Sequence, residues 1–212
     1  MKITFKLTFQ KSTIVTIILL LLSPLAFILP SEYFWENNFF ENSQVVLLTI
    51  GFLINLKFVL SLKSRYSKAI KSFWISILPV WLILIVRELS WGRVFYLEEM
   101  GPHGPEFFSL KDLWFGPYVH PILAVVIVIT LFFLIRSFYK LKPHEKICIS
   151  VIDFIGAILF ITLATVVFEK GLIESLKPYS TNLEEYFELI AYWNLVSGSM
   201  IAMKYHEKSF HN

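Results

Sequence analysis

The sequence has a single cysteine, Cys148, which excludes an internal disulfide and any cysteine-rich metal site. Charged residues are also scarce: they make up 17% of the 212 residues, against about 25% in ordinary soluble domains. Glycine-rich phosphate loops, internal repeats, low-complexity linkers and a His-Glu-x-x-His zinc motif are absent from the sequence. No polar stretch is long enough to form a second domain, so we treat residues 1–212 as one domain.

Hydrophobic residues make up 56% of the chain, and they are concentrated in long runs. A membrane-spanning helix needs about 20 mainly apolar residues. Six runs predict an all-α fold, a bundle of six transmembrane helices over about 14–29, 44–62, 73–92, 113–138, 147–168 and 183–203. The first run begins like a signal peptide, but no small-x-small cleavage site follows it, so we expect it to remain as a helix.

The basic residues between these runs alternate in number from one side of the membrane to the other. Thirteen fall on one side: Lys2, Lys6, Lys11, Lys63, Arg65, Lys68, Lys71, Arg136, Lys140, Lys142, Lys146, Lys204 and Lys208. Four fall on the other: Arg93, Lys111, Lys170 and Lys177. Because cytoplasmic loops carry the excess of Lys and Arg, the pattern predicts a multi-pass protein of the bacterial cytoplasmic (inner) membrane with both termini in the cytoplasm.

Acidic residues show the opposite bias and fall mainly on the outer side. They are Glu32, Glu36, Glu41, Glu98, Glu99, Glu106, Asp112, Glu169, Glu174, Glu184 and Glu185. One interpretation is that these acids only solvate the outer loops. The other is an acidic vestibule that attracts a cation or a basic partner. Trp and Tyr residues near the same ends are typical of an interfacial aromatic belt.

The end of the third run carries charges at a depth where a helix is still in lipid. Glu88 lies roughly 22 Å beyond Phe73 in a core of about 30 Å. Since a charge in hydrocarbon costs at least about 2.5–3.5 kcal/mol, we expect Glu88 to lie between helices with a basic or hydrogen-bonding partner. Arg87 projects about 100° away around the helix, so we expect it to extend outward to water.

The sixth run opens with a second group of acids. Thr181 and Glu184 have the spacing of a capping box, with Thr181 as the N-cap residue. Glu185 and Glu188 are three residues apart and therefore share a helix face. They repel each other unless a cation or an arginine lies between them. Arg93 and His120 are the nearest candidates by predicted depth.

Histidines on the outer side raise the alternative of a metal site. His120 lies between Pro117 and Pro121, which disrupt the first turns of the fourth helix, and His103 lies in a turn-rich loop. Two histidines and a carboxylate can hold a catalytic zinc ion. His120, Glu88 and His103 are the candidate ligands, and a divalent metal is the only cofactor that the sequence indicates. The simpler interpretation of His120 is a hydrogen-bonded packing residue.

These residues form one candidate site in the outer half of the membrane. We assign Glu88, His120 and Glu188 as candidate catalytic residues. The candidate substrate-binding residues are Arg93, Trp91, Glu185, Glu98 and Glu99. In the inner half, Asp153 is expected to form a structural ion pair with Lys57, close to Gly156 and Asn194.

The segment at 87–95 reads Arg87-Glu88-Leu89-Ser90-Trp91-Gly92-Arg93-Val94-Phe95. It resembles a Glu-x-Ser-Trp-Gly-Gln/Arg-x-Phe motif of uncharacterised bacterial inner-membrane proteins, in which the motif also closes a spanning helix. The resemblance covers about ten residues and implies no known activity. Seven-helix metal hydrolases of the alkaline ceramidase type are a poorer match, because they require a further helix and more histidines.

Three functions are consistent with the sequence. The first is binding or modification of a lipid-linked or amphiphilic molecule at the outer leaflet, with Arg93 holding an anionic head group. The second is a non-enzymatic partner, such as a subunit, an immunity-type protector or an assembly factor, whose acidic face docks another protein. The third is a small ion- or proton-coupled transporter, which would require a homodimer. The expected partners are the bilayer and one of these ligands, and not nucleic acid.

One geometric criterion separates the first two functions. If Glu88, His120 and Glu188 converge within about 8 Å around a cavity, a binding or catalytic site is favoured. If Glu88 instead pairs with Arg87 or Arg93 while His120 faces lipid or packs alone, the partner function is favoured.

Overall fold

The chain folds as a bundle of helices in a computed structural model, which describes residues 3–7, 10–62, 67–101, 104–141 and 147–208. The α-helices are α1 (Lys11–Leu22), α2 (Phe39–Ser61), α3 (Lys68–Glu88), α4 (Gly116–Lys140), α5 (Val151–Thr162) and α6 (Ser180–Lys208). A 3-10 turn at Ser23–Phe27 prolongs α1, and a π-helical segment at Leu163–Phe168 prolongs α5. The predicted all-α class is confirmed.

Among the residues that the structure describes, four helical segments are long and apolar enough to cross a membrane. They are Ser31–Ser61, Lys68–Glu88, Gly116–Lys140 and Val151–Phe168. The chain therefore has the composition and helix lengths of a membrane protein. Lys11–Phe27 is apolar but shorter than these four, and α6 is long enough but carries more polar residues.

Helix α6 lies at the centre of the bundle: it packs on α1, α2 and α5, and its side chains contact Trp81 and Arg87 of α3. Ile190, Ala191 and Val196 on this helix are buried. By contrast, α4 packs mainly on α3 and leaves most of its apolar side chains exposed. A helix enclosed by protein does not have to be apolar all round, which explains why the central helix is the more polar of the two.

Polar side chains join α6 to its neighbours at several levels. The Thr16 hydroxyl donates to Asn194 Oδ1 at 3.2 Å, and the Asn55 amide donates to Ser199 Oγ at 3.0 Å. Gly51 on α2 allows a close approach, because a Cβ there would lie 2.5 Å from Trp81 Cζ3. Small residues and interhelical hydrogen bonds are what hold membrane helices together.

Two short sheets cap the described bundle, one at each end. Strand β1 (Ile3–Lys6) pairs in parallel with β4 (Ile147–Ser150), and β2 (Leu97–Gly101) pairs antiparallel with β3 (Gly104–Phe107). Lys6 Nζ lies 4.1 Å from the ring centre of Tyr205 on α6. The first strand and the last turns of α6 are therefore at the same end of the bundle.

Most helix boundaries lie a few residues from those predicted, and three of the differences change how a segment is assigned. The fifth helix was predicted from residue 147, but β4 occupies 147–150 because its backbone pairs with β1. The third was predicted to residue 92, but α3 ends at Glu88. Thr181 was predicted as an N-cap, but a 3-10 helix at Glu174–Tyr179 runs directly into α6, so Thr181 lies inside the helix.

We predict that Cys148 on β4 reacts slowly in the folded protein. Burial raises the pKa of its thiol, and the charge of Lys6 opposes this only in part. Because the thiolate is the reactive form, labelling by a charged maleimide at pH 7.5 should be at least about tenfold slower before than after denaturation in SDS. Raising the pH should speed the reaction of the folded protein.

The control is a cysteine at the exposed Ser61, in the Cys148→Ser background. This thiol should react at the same rate in folded and denatured protein. Equal rates for Cys148 and this control in the folded protein would show that β4 does not shield the thiol.

Candidate functional site

The guanidinium of Arg87 is the centre of a polar cluster between α3 and α6. Its Nη1 donates to Tyr192 Oη at 2.9 Å, and its Nη2 donates to Glu188 Oε1 at 2.5 Å. Tyr192 Oη in turn donates to Glu88 Oε1 at 2.6 Å. We call these four residues the Arg87 cluster. Each of the four side chains forms a hydrogen bond or an ion pair with another member of the cluster.

The expected burial of Glu88 is confirmed, since only 5% of this residue is exposed and Tyr192 is its hydrogen-bond partner. The expectation that Arg87 extends outward is wrong. Although its guanidinium starts from another face of α3, it bends to α6, because a buried Glu188 is a stronger partner than water. Arg87 Nε also lies 3.8 Å from Glu88 Oε1.

The cation that meets the α6 acids is Arg87, and not Arg93 or His120. Of the two acids Glu185 and Glu188, Arg87 binds only Glu188. Glu185 is instead bound by Gln44 of α2, whose Nε2 donates at 2.9 Å both to a carboxylate oxygen of Glu185 and to its backbone carbonyl. Glu188 and Glu185 therefore share a helix face but have separate partners on two different helices.

The residues after α3 take a backbone conformation that redirects the chain. Ser90, Trp91 and Gly92 all have positive φ values, of 44°, 60° and 87°. Such angles are uncommon for residues other than glycine. They bring Ser90 Oγ and Arg93 Nη2 to the same atom, Glu36 Oε1, at 2.7 and 2.6 Å. Arg93 thus fastens this turn to the segment before α2.

The β2–β3 hairpin carries three other acids to the surface. Glu98, Glu99 and Glu106 are exposed and form no ion pair with any residue in the described part of the chain. Gly104 lies tightly against Trp35, because a Cβ there would be 2.7 Å from the indole. The predicted binding residues Glu98 and Glu99 are therefore displayed on an anchored hairpin, away from the buried Arg87 cluster.

The histidines do not join Glu88 and Glu188. His120 is exposed on α4 and makes no hydrogen bond or ion pair with a described residue. His103 lies outside the described residues. Within the described ranges, no three His, Cys, Asp or Glu side chains are grouped so that they could hold a metal ion. Trp91 borders an apolar groove between α3 and α4, where Phe115 and Tyr118 also lie.

Asp153 is held by hydroxyl groups, and the predicted ion pair with Lys57 is wrong. Ser150 and Ser197 both donate to the Asp153 carboxylate, which is only 1% exposed, and Lys57 is exposed on α2. The expected closeness of Asn194 to Asp153 is confirmed, since Ser197 Oγ is within hydrogen-bond distance of both the Asp153 carboxylate and the Asn194 carbonyl. Gly156 lies one turn along α5, where a Cβ would be 2.8 Å from Asn194 Oδ1. Hydroxyl donors from two elements satisfy this carboxylate without a cation.

Two of these contacts had faint signals in the sequence, and a third had none. Gln44 is a polar residue in an apolar run, which indicates a buried partner. Tyr192 continues the Glu185–Glu188 stripe, which indicates a common face. Glu36 gave no sign of its contact with Arg93, because it lies in a loop and the contact depends on the turn at 90–92.

Comparison of the chain with models of protein families, curated proteins and solved structures gave no significant match.

The Arg87 cluster has the features of a structural network. Its one cation is shared by two carboxylates, and its one hydroxyl bridges the guanidinium and Glu88. No serine, cysteine or histidine among the described residues donates to these carboxylates. By the criterion set from the sequence, pairing of Glu88 with Arg87 and an exposed His120 favour the partner function over catalysis.

We predict that the cluster stabilises the bundle. Removing one member of a buried ion pair costs about 3–5 kcal/mol. Because the Arg87 side chain is 37% exposed, we expect Arg87→Gln to lower the free energy of unfolding by a smaller amount, about 2–3 kcal/mol. The measurement is equilibrium unfolding of the protein in detergent micelles.

The matched control is Arg93→Gln, which breaks the more exposed pair with Glu36 and should cost about 0–1 kcal/mol. The double variant Arg87→Gln/Glu188→Gln should cost less than the sum of its two single changes, since removing both charges leaves neither unpaired. Equal costs for Arg87→Gln and Arg93→Gln would contradict a buried structural network.

Proposed function

We propose that this protein is a non-enzymatic membrane partner whose acidic outer face docks the basic surface of another protein. The observation that carries the proposal is the closed Arg87 cluster. Its buried acids, Glu88 and Glu188, both contact Arg87, and Glu88 also accepts a hydrogen bond from Tyr192. These contacts pair the helices, and no described group of the cluster is left free for catalysis. The acids that remain free to act on another molecule are the exposed ones.

The β2–β3 hairpin is the proposed docking element. It presents Glu98, Glu99 and Glu106 together with exposed apolar side chains at Leu97 and Met100. A protein interface combines such an apolar centre with charged groups that set orientation and speed association. The anchor on Trp35 holds the hairpin in place, which reduces the entropy lost when a partner binds.

The proposal includes the membrane topology on which an outer face depends. We infer six spans in a bacterial inner membrane, with both termini in the cytoplasm. In support, β1 and the end of α6 lie at one end of the bundle, as an even number of spans requires. The low hydropathy of α6 is no objection, since this helix contacts protein on several sides. The Lys and Arg bias supplies the orientation.

A second candidate is binding or modification of an amphiphilic molecule at the outer leaflet. The apolar groove between α3 and α4 favours it, with a volume of about 450 Å³ and with Trp91, Phe115 and Tyr118 at its border. An acyl chain would fit such a groove. Catalysis on that molecule would require His120 to act with Glu88 and Glu188, whose side chains are already engaged with Arg87 and Tyr192.

We predict that a photo-crosslinking residue at Met100 captures a discrete partner in cells. Neutralising the hairpin by Glu98→Gln, Glu99→Gln and Glu106→Gln should abolish the adduct, because charge complementarity sets the encounter. The matched control neutralises three other exposed acids, Glu32, Glu169 and Glu174, and should leave the adduct intact. A missing adduct, or equal loss in both triple variants, would refute docking on the hairpin.

We also predict that the purified protein carries only trace divalent metal, unchanged by Glu88→Gln or by His120→Ala. The physical reason is that Glu88 already accepts a hydrogen bond from Tyr192 and lies 3.8 Å from the cationic Arg87, so it is not free to bind a metal ion. Elemental analysis of detergent-purified protein tests this. A near-stoichiometric metal that either variant removes would overturn the partner function and make hydrolysis at the outer face the leading hypothesis.

A further inference from the structure

A cleft between the first turns of α3 and the last turns of α4 lies at the opposite end of the bundle from the Arg87 cluster. Two adjoining cavities form it, with volumes of about 340 and 400 Å³. They share Lys68, Ser72 and Phe133 in their walls. We call the two together the basic groove.

Four cations border the basic groove: Lys68 and Lys71 on α3, and Arg136 and Lys140 on α4. None of them forms an ion pair with an acid anywhere in the described ranges. The floor between them is made of hydroxyl groups, where Ser137 Oγ donates to Ser72 Oγ at 2.7 Å. The lower part of the groove thus offers several positive charges and polar donors to an anion.

The start of α3 adds to this positive potential. Ser67 caps the helix by accepting from the Ile70 amide at 3.2 Å. The other N–H groups at the start of a helix have no partner within the helix. The helix dipole places about half a positive charge at this end. Helix N-termini bind phosphate groups for these two reasons. Here the helix end and the four cations act on the same space.

The upper part of the basic groove is apolar and has the length of one leaflet. Its walls include Ile75, Pro79 and Ile129. From Lys68 to Pro79 the helix rises by about 16 Å, which is half of a hydrocarbon core of about 30 Å. The groove is therefore charged at the membrane boundary and apolar toward the midplane, as a lipid is.

We propose that the basic groove binds one anionic phospholipid, with its phosphate among Lys68, Lys71, Arg136 and Lys140 and an acyl chain along Ile75 and Ile129. Basic pockets between helices recognise anionic head groups in this way. An acidic protein segment would satisfy the cations but would leave the apolar half of the groove unused. The proposal is independent of docking at the outer face.

The test is a titration of the full-length, detergent-purified protein with phosphatidylglycerol and with phosphatidylcholine of the same chains, read as a rise in Tm. A ligand that binds only the folded state stabilises it by RT ln(1 + [L]/Kd), so the tighter ligand raises Tm at a lower concentration. Phosphatidylglycerol should raise Tm at lower concentration. Each cation removed should weaken its binding about fivefold, so Arg136→Gln/Lys140→Gln should weaken it roughly 25-fold.

The matched control is Lys57→Gln/Lys204→Gln, which removes the same charge from exposed positions outside the groove and should keep the affinity of the wild type. A second variant, Ile129→Trp, fills the apolar part at an exposed position and should weaken binding without loss of charge. Its control is Val128→Trp, which is also exposed but not in the groove wall.

Three results would overturn the proposal. Equal stabilisation by both lipids would show that the groove has no preference for anions. Equal weakening by the two double variants would show that total charge, rather than the groove, sets the affinity. Full stabilisation by glycerol phosphate, together with no effect of Ile129→Trp, would show that the groove binds a soluble phosphate and not a lipid.

Discussion

The contact between Arg87 and Glu188 is the constraint on which the half of the bundle that holds the Arg87 cluster depends. Carboxylates in an apolar interior need a cation or a hydrogen-bond donor. Here one guanidinium binds Glu188 and lies 3.8 Å from Glu88, which also accepts from the Tyr192 hydroxyl. Arg87 reaches Glu188 and Tyr192 from α3, so the contact ties this helix to α6. Beyond the end of α3, the turn at 90–92 carries Arg93 to Glu36 and ties the chain to the segment before α2.

Local patterns predicted the elements, and long-range contacts decided how charged residues are used. The positions of the helices followed from runs of apolar residues, and the burial of Glu88 followed from its depth. The partner of Glu88 did not, because a position on the helix face does not determine where a long, flexible arginine side chain ends. The same limit explains Asp153, which found two hydroxyl groups where the sequence indicated Lys57.

The strands at the two ends were also beyond the reach of local patterns. Residues 147–150 continue an apolar run and have no turn signal before Val151, so they read as helix. Their pairing with β1 joins segments more than a hundred residues apart. The β2–β3 hairpin was hidden for another reason: glycines and prolines marked its loop, but only its packing on Trp35 makes it a fixed element.

The two ends of the molecule carry opposite charges, and their helices are packed in different ways. At the end that holds the Arg87 cluster, α2, α3 and α6 are tied by buried polar contacts, and the surplus acids lie on a surface hairpin. At the other end, α4 lies against α3 and the basic groove remains open between them. A groove bordered by four cations that lack acidic partners in the described chain cannot close by protein packing alone, because those cations repel one another. An anionic lipid removes that repulsion and fills the apolar space at once, so the position of α4 should depend on the lipids around it.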